Sequence, residues 1–354
     1  MGTESIEASF LSIFALISFF TFLIISKYSH KIFKGLLLDD DFFKPQSFHS
    51  LPITRSGGLA SMISLCFFFW IYYLIYNEIL YDYILISLSM FFIGFLDDLK
   101  INILPSKSLL LMILLLFVLI YFLPLKILNI DISFLKFLTN NHLFSSIFVL
   151  LCFLFIINGS NLIDGFNGLL GIHTLIIFTI LFLINFINGN NEISFVLFFI
   201  ILSILIFLTF NFPNAKMFLG DSGSYLLGAL VSVSVIKTSI INPSISPFFF
   251  ILLLIYLFFE VFFSFFRKLY LRRSPLKPDK QHLHMLIYEF LNRSGRFKDS
   301  NYLNSIVINL IYISLILPVI FFNDNGLICK YWFFSLIVIY MVFYSLLYSF
   351  TKKQ

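Results

Sequence analysis

The fold is decided by residues 143–187, which read LFSSIFVLLCFLFIINGSNLIDGFNGLLGIHTLIIFTILFLINFI. Two apolar runs, 143–157 and 169–187, flank the polar segment NGSNLIDGFNG at 158–168. Runs of this length and composition are typical of helices that cross a lipid bilayer. The same alternation of long apolar runs and short polar segments continues along the chain, which predicts a protein that crosses a membrane many times.

Composition extends this interpretation to the whole chain. Of its 354 residues, 60% are hydrophobic and only 12% are charged, whereas a soluble domain has about 25% charged residues. The 3 cysteines are few and scattered, so they indicate neither a disulfide framework nor a zinc site. A secreted disulfide scaffold, a disordered chain and an ordinary cytosolic enzyme are therefore excluded.

The apolar runs predict an all-α integral membrane protein with about 11 transmembrane helices. They lie at residues 9–25, 59–76, 79–96, 109–123, 143–157, 169–187, 193–210, 225–241, 248–266, 306–322 and 331–350. The third, fourth, fifth and eighth runs are the weakest, because they are short or are interrupted by Asp82 or Lys237. If one of them does not cross the membrane, every later loop changes sides.

Basic residues are distributed unequally between the two sides that these spans define. Of the 23 Lys and Arg, 19 lie on one side, against 4 on the other. The positive-inside rule therefore places the N-terminus outside and the C-terminus in the cytoplasm. Residues 1–354 are predicted to form a single polytopic membrane domain whose function resides in the cytoplasmic loops. These loops are 26–58, 97–108, 158–168, 211–224 and 267–305.

Acidic and amide residues gather on the predicted cytoplasmic side, although only hydropathy and Lys/Arg counts define that side. Asp97 and Asp98 end the third run, and Asn161 and Asp164 follow the fifth. Asp221 lies between glycines just before the eighth. Because an uncompensated charge at an apolar helix end is costly, their convergence predicts a metal, a phosphate ligand or a water-filled cleft.

Each of these motifs also has a plain structural explanation. The Asp pair can be a charged stop that faces lipid headgroups, and residues 158–168 can be a turn between helices. Asp221 can be an N-cap, or it can hold Mg²⁺ and phosphate at a helix start. A helical continuation of the fifth run would align Asn158, Asn161 and Asp164 on one stripe, which suits recognition of a nucleotide or a sugar.

The last predicted cytoplasmic loop combines histidines with basic residues. His282 and His284 lie two residues apart, so they share a face only in an extended segment. With Arg272, Arg273, Lys277 and Lys280 they predict a phosphate-binding set, although positive-inside charge with incidental histidines explains the segment as well. Glu260 is an acidic residue inside a membrane run, which makes it a functional candidate.

Four separated motifs then occur in the order of a known family. They are FLDDLK (95–100), NGSNLIDGFNGL (158–169), PNAKMFLGDSGS (213–224) and PDKQHLHM (278–285). On these motifs the chain resembles the bacterial polyprenyl-phosphate N-acetylhexosamine-1-phosphate transferases, glycosyltransferase family 4, the family of WecA and MraY.

The resemblance covers the chain from Asp41 to about Leu286. The last two predicted helices lie beyond it, and we expect them to contribute topology alone. The first cytoplasmic loop agrees with the family at His49, Pro52, Arg55, Gly57 and Gly58.

The resemblance implies a reaction at the cytoplasmic face of the cell (inner) membrane. N-acetylhexosamine-1-phosphate passes from a UDP-N-acetylhexosamine to undecaprenyl phosphate, UMP is released, and Mg²⁺ or Mn²⁺ is required. The product would start a lipid-linked glycan such as O-antigen, capsule or a cell-wall polymer. The implied partners are both substrates and the lipid bilayer, a second copy of the chain is a candidate partner, and no nucleic acid takes part.

The resemblance also implies roles for individual residues. Asp221 would be the metal ligand, and Asp97 or Asp98 would deprotonate or assist the attacking lipid phosphate. Asp164 would be a further catalytic carboxylate. Two of the implied substrate-binding residues would contact and stack the uracil, namely Asn167 and Phe218. The full substrate-binding set is Asn161, Asn167, Lys216, Phe218, Arg272, Arg273, His282 and His284.

The chain departs from the family at Met285, where the usual His-x-His-His ends in Met. The missing histidine distinguishes it from the branch with a muramyl-peptide donor and favours the WecA-like branch. Two other classes stay open. A multi-span transporter should place polar residues near the bilayer midplane, and an inactive scaffold should have lost Asp221 or the Asp pair.

Overall fold

The computed structural model describes residues 3–40, 52–101, 104–127, 130–132, 141–275, 277, 279–293 and 300–352. His49 and Asp41, two residues named for the family resemblance, lie outside these ranges. Within them the chain forms helices and a small antiparallel sheet.

The structure describes 13 helices. They are α1 (Thr3–Ile32), α2 (Gly57–Tyr76), α3 (Tyr81–Asp98), α4 (Pro105–Phe122), α5 (His142–Ile163), α6 (Leu169–Ile187), α7 (Asn191–Asn211), α8 (Gly220–Ile241), α9 (Pro247–Leu253), α10 (Ile255–Tyr270), α11 (Leu283–Arg293), α12 (Ser300–Ile320) and α13 (Gly326–Lys352). The strands are β1 (Leu38–Asp39) and β2 (Ile53–Thr54).

Each apolar run predicted from the sequence overlaps one helix, except for the ninth run, 248–266. That run was predicted as a single span, but it is divided between α9 and α10, which are bent by 73° at the break. Nine of the described helices are long and apolar enough to cross a bilayer, and the bent pair α9 and α10 adds a tenth when counted as one span. α3 is not among these because its 18 residues include three carboxylates. The chain is a multi-pass helical membrane protein, as predicted, while the number and direction of the crossings stay predictions.

The two charges that interrupt the third and eighth predicted runs form an ion pair. Lys237 Nζ on α8 lies 2.6 Å from Asp82 Oδ2 on α3, and the ammonium also lies 5.3 Å from the centre of the Tyr83 ring. Buried charges are tolerated in membrane helices when they pair with one another. The pair therefore accounts for the two charges that interrupt these runs.

α8 is the central helix of the fold. Its most apolar window is 78% buried, more than that of any other candidate span among the described residues. Glycines on the neighbouring helices allow this close packing. A Cβ atom would overlap α8 backbone at Gly58 of α2 and at Gly94 of α3, and a Cβ on Gly228 of α8 would lie 2.7 Å from Ile157 Cα of α5. Small residues at such contacts are the usual means by which membrane helices approach each other.

The short sheet connects the segment between α1 and α2 to the start of α8. Phe218 N–H donates to the Thr54 carbonyl at 2.8 Å, and Gly57 N–H donates to the Phe218 carbonyl at 2.9 Å. In the sheet itself Leu38 pairs with Thr54 and Asp39 with Ile53. As a result, residues 38–39, residues 53–58 and the GDSGS segment at 220–224 lie together at one edge of the helices.

Gly94→Ala tests the packing of α3 on α8. The added Cβ would overlap the backbone of Asp221, and overpacking of this kind costs about 1–3 kcal/mol. We expect a lower midpoint of thermal unfolding in detergent, measured by intrinsic fluorescence. Gly165→Ala is the matched control, because its Cβ would meet no atom within 4 Å. Equal midpoints for both variants would contradict the packing described for Gly94.

Candidate active site

A cavity of about 1280 Å³ opens where the C-terminal ends of α3 and α5 meet the N-terminal end of α8. Its wall includes side chains from each of the four polar motifs that the sequence singled out. These are Asp97, Asn161, Asp164, Phe218, Asp221 and His282. Motifs that are far apart in the sequence thus converge on one cavity.

Asp98 caps the N-terminus of α8 from the neighbouring helix. Its Oδ1 accepts the backbone N–H of Asp221 and its Oδ2 that of Ser222, both at 2.9 Å. The first N–H groups of a helix have no partner within the helix and carry partial positive charge, so a carboxylate suits them. Asp98 is 2% exposed and lies behind the cavity wall.

Gly220 provides the space for this cap. Its φ of +78° is a backbone conformation that glycine adopts without strain. A Cβ at this position would also lie only 2.7 Å from Asp98 Oδ2. The segment GDSGS at 220–224 therefore has two roles. It leaves room for the Asp98 carboxylate and donates N–H groups to it, and it places Asp221 in the cavity wall.

Asp221 is oriented by α5. Asn161 Nδ2 donates to Asp221 Oδ1 at 2.7 Å and to Ser224 Oγ at 3.1 Å. Ser224 Oγ in turn donates to the Asp221 carbonyl at 3.1 Å. The amide thus fixes one oxygen of the Asp221 carboxylate at the cavity wall.

α5 is longer than the fifth apolar run, because it continues through the polar residues to Ile163. Asn158, Asn161 and Asp164 all line the cavity, in agreement with the stripe that a helical continuation predicts. Burial and, after it, the negative charge of Asp221 raise the pKa of Asp164 to about 7. Asp164 can therefore hold or release a proton near neutral pH.

The neighbouring carboxylates Asp97 and Asp98 face different environments. Asp97 lines the cavity, where the Ser108 hydroxyl lies 3.4 Å from its Oδ2. Adjacent positions on a helix diverge by about 100°, so the two side chains cannot share one direction. Asp97 therefore faces the cavity, whereas Asp98 binds the start of α8.

Of the two residues predicted to contact uracil, one lines the cavity and the other does not. Phe218 lines the cavity. Asn167 lies outside its wall, where its Nδ2 donates to the Pro213 carbonyl at 2.9 Å and its backbone N–H donates to Asn301 Oδ1 at 2.8 Å. Lys216 is exposed and also lies outside the wall.

His282 lies between two carboxylates at the cavity wall. Its Nδ1 is 3.1 Å from Glu260 Oε1, and its Nε2 is 3.3 Å from Asp279 Oδ1. Glu260 Oε1 also accepts the Leu283 N–H at 3.1 Å, and Glu260 Oε2 accepts the Tyr340 hydroxyl at 2.5 Å. Glu260, the acidic residue within a membrane run, is 1% exposed and holds His282 in place.

The last helix anchors this loop. The Arg267 guanidinium donates to Asp279 at 2.8 and 3.0 Å and to the Tyr344 hydroxyl at 2.6 Å. Tyr340 and Tyr344 both belong to α13. α13 therefore has more than the topological role that the sequence predicts, since it holds residues directly behind the cavity.

His284 and Met285 point away from the cavity. His284 is fully buried, with Nδ1 3.4 Å from the Tyr256 hydroxyl, and its carbonyl accepts Asn304 Nδ2 at 3.1 Å. Burial lowers the pKa of His284 to about 3, so the ring is neutral. Met285 is 4% exposed within the apolar core. The position at which the chain departs from the family motif is therefore a core position.

Arg272 and Arg273 are exposed and lie outside the cavity wall. Other polar residues that the sequence did not predict as site residues line it, among them Asp39, Arg55 and Lys268. Arg55 could have been found, because it belongs to the first-loop segment that carries the family resemblance. Lys268 follows Arg267 at a helix end. Nothing in the sequence distinguishes it from the basic residues that commonly flank the cytoplasmic ends of membrane helices.

Among the described residues, no three His, Cys, Asp or Glu side chains converge closely enough to hold a metal ion by themselves. Mg²⁺, however, is commonly bound by one or two carboxylates together with water and substrate phosphates. The cavity offers Asp221, with one oxygen fixed by Asn161, and the carboxylates of Asp97 and Asp164 in the same wall. This oxygen-only donor set fits a hard divalent cation that is completed by a substrate.

The fold and the cavity together define a class of protein: a multi-pass helical membrane protein with a carboxylate-lined site at one end of its helices. Residues 80–239 match the family model of glycosyl transferase family 4. The matched residues form less than half of the chain and include three of the four motifs on which the resemblance rests, so they support the family predicted from those motifs.

Similar proteins bear related names. The undecaprenyl-phosphate alpha-N-acetylglucosaminyl 1-phosphate transferase of Thermotoga maritima is 32% identical over 193 residues, which are 54% of this chain and 55% of that protein. The protein of the same name from Escherichia coli K12 is 31% identical over 137 residues, 37% of each chain. The phospho-N-acetylmuramoyl-pentapeptide-transferase of Dictyoglomus turgidum is 33% identical over 107 residues, 30% of this chain and 33% of that protein. The chain thus spans about half the length of the first relative and about a third of the other two.

Asp98→Asn tests the cap on α8. An asparagine offers only one acceptor oxygen, and its NH₂ group would face a backbone N–H. A buried donor left without a partner costs about 1–3 kcal/mol. We expect faster hydrogen exchange of the amides at residues 221–224, measured by mass spectrometry. Asp40→Asn is the control, because Asp40 forms an exposed ion pair with Lys100 at 3.0 Å. Unchanged exchange at 221–224 would contradict the capping role.

Proposed function

We propose that the chain transfers N-acetylhexosamine-1-phosphate from a UDP-sugar to undecaprenyl phosphate and releases UMP. The proposal rests on one observation above all: a single cavity combines a polar end lined by Asp97, Asp164 and Asp221 with an apolar wall. The names of the relatives support the acceptor and the type of reaction. The product would start a lipid-linked glycan.

The apolar wall supports a lipid acceptor. It is formed by side chains of α4, α5 and α10, namely Leu109, Met112, Leu151, Leu154, Phe155, Val261, Phe262, Phe265 and Phe266. A polyprenyl chain requires an apolar surface of this kind, and its phosphate would lie towards the carboxylates. At the polar end, Phe218 is the side chain proposed to stack the uracil.

The proposed reaction forms a bond between a lipid phosphate oxygen and the phosphorus attached to the sugar. The bond from that phosphorus to the UMP oxygen breaks, and UMP leaves with the electron pair. A proton on the lipid phosphate would pass to a carboxylate at the cavity wall. Asp97 and Asp164 face the cavity, whereas both oxygens of Asp98 already accept backbone N–H groups. We therefore assign proton transfer to Asp97 or Asp164 and positioning to Asp98.

The family implies a divalent cation, for which Mg²⁺ or Mn²⁺ is proposed. Asp221, with Asp97 and Asp164 beside it in the wall, would hold it. When bound, the cation would offset the negative charge of the two phosphate substrates and of the departing UMP. Asn161 would keep the Asp221 carboxylate in one orientation.

The primary experiment measures UMP release by the purified protein with undecaprenyl phosphate, Mg²⁺ and a panel of UDP-N-acetylhexosamines. We expect lipid-dependent UMP release from one donor, which a chelator abolishes. Asp221→Ala is expected to lower the rate at least about 100-fold, a size typical for removal of an electrostatic catalytic group. Asp324→Ala, on an exposed connection before α13, is the control.

Other outcomes of that experiment point elsewhere. Full activity of Asp221→Ala would contradict the metal assignment. Folded protein that releases no UMP with any donor would contradict the transferase proposal. Substrate flux into vesicles without UMP release would then favour a transporter, and the absence of both would favour an inactive scaffold.

The proposed orientation places the N-terminus outside, the C-terminus in the cytoplasm and the cavity at the cytoplasmic face of the cell membrane. Single cysteines test it after the 3 native cysteines are replaced by serine. Ser274→Cys is expected to resist a membrane-impermeant maleimide in intact cells, whereas Lys126→Cys should react. Both positions are exposed. The reverse labelling pattern would overturn the orientation without affecting the proposed chemistry.

A further inference from the structure

Arg55 is a cation built into the cavity wall by the small sheet. It directly follows β2, and its side chain lines the cavity. Its Nε and Nη2 donate to Asp39 Oδ2, on the paired strand, at 3.0 and 2.8 Å. The Arg55 side chain is 27% exposed and that of Asp39 11%. The guanidinium is therefore held in one place yet accessible from the cavity.

Arg55 also lies within the electrostatic reach of the candidate metal ligand. Burial alone would lower its pKa, but the negative charges of Asp221, Asp39 and Asp98 outweigh that effect and raise it. The group is thus a permanent cation beside the carboxylates at the start of α8. The backbone hydrogen bonds that join residues 54, 57 and 58 to residues 218 and 219 fix this proximity.

Two of the other cations in the described cavity wall, Lys268 and His282, are engaged by other groups of the protein, whereas the third, Lys277, has an exposed side chain. Lys268 Nζ donates to the carbonyls of Pro275 and Lys277 at 3.2 and 2.7 Å. Both ring nitrogens of His282 face carboxylates. A guanidinium has five N–H donors, and in the described residues the bonds to Asp39 engage two of them. Arg55 therefore retains donors for an incoming anion.

We infer that Arg55 binds a phosphate group of a substrate, and that Asp39 is its positioning residue. The inference deepens the proposed function and rests on it for the identity of the substrates. A planar guanidinium with several fixed donors matches phosphate oxygens better than an ammonium does. The phosphate belongs either to the nucleotide diphosphate or to the polyprenyl phosphate, since both meet at this end of the cavity.

Chemical modification of the unaltered protein tests this binding without any requirement for turnover. Phenylglyoxal modifies accessible arginines, and peptide mass spectrometry gives the rate at each position. We expect Mg²⁺ with inorganic pyrophosphate to slow the modification of Arg55 at least tenfold. Arg293 is the internal control, because it is 32% exposed and also pairs with a carboxylate, Glu289, outside the cavity. Equal rates at Arg55 with and without pyrophosphate would overturn the inference.

Separate arms identify the source of the phosphate. Protection by UDP, with none by a polyprenyl phosphate in micelles, would assign Arg55 to the nucleotide, and the reverse pattern would assign it to the lipid. Uridine has no phosphate and is expected to give no protection. Protection by uridine equal to that by UDP would overturn the inference, because the effect would then be steric.

Variants provide a second measurement of affinity by isothermal titration calorimetry. Arg55→Gln is expected to weaken binding of the protecting phosphate ligand at least tenfold, while Arg55→Lys and Asp39→Asn should give smaller losses. Arg293→Gln is the matched control. Unchanged affinity in folded Arg55→Gln would overturn the inference even if the wild type releases UMP. Protection by pyrophosphate in a protein that releases no UMP would instead uphold the phosphate site and contradict the transferase proposal.

Discussion

The carboxylate of Asp98 at the N-terminus of α8 is the interaction on which the rest of the site depends. A helix that starts inside a protein presents unpaired N–H groups, and a buried carboxylate requires donors. The two oxygens of Asp98 accept the Asp221 and Ser222 N–H groups. The hydrogen bonds therefore offset the free-energy cost of burying both the carboxylate and the helix N-terminus. These two hydrogen bonds hold the C-terminal end of α3 against the start of α8. The Asp221 side chain is thereby directed at the cavity, where Asn161 can hold it.

The same logic applies to two groups of buried polar residues elsewhere in the described helices. Asp82 and Lys237 neutralise each other between α3 and α8. Asn185, fully buried on α6, bonds to Thr238 and Asn242 of the α8 end. Such groups are paired by neighbouring helices, as is expected where water is absent. Asp97 and Asp164 differ because they face an open cavity, which is what a site for charged substrates requires.

Much of this arrangement was predictable from local sequence. Apolar runs predicted the helices because length and hydropathy are local properties, and the triplet spacing of Asn158, Asn161 and Asp164 predicted their shared face. The eighth apolar run predicts a helix start at Tyr225, whereas α8 starts at Gly220, because its cap comes from Asp98, more than 120 residues earlier. Likewise Glu260 stood out as an acidic residue, but its partner Tyr340 lies 80 residues away in an ordinary aromatic helix. Contacts between distant segments have no local signal, and they decide which carboxylate faces the cavity.

Met285 shows that contacts between distant segments decide which residues of a motif reach the cavity. In the run HLHM, only His282 lines the cavity, because α11 begins at Leu283 and turns the following residues into the core. His284 and Met285 are both buried, and Asn304 of α12 holds the carbonyl of His284. Methionine, a flexible apolar side chain, suits a core position of this kind. Its presence therefore removes no group from the cavity wall. Within this motif only His282 is in position to contact a ligand in the cavity, and Glu260, which accepts the Tyr340 hydroxyl of the last helix, determines where that imidazole lies.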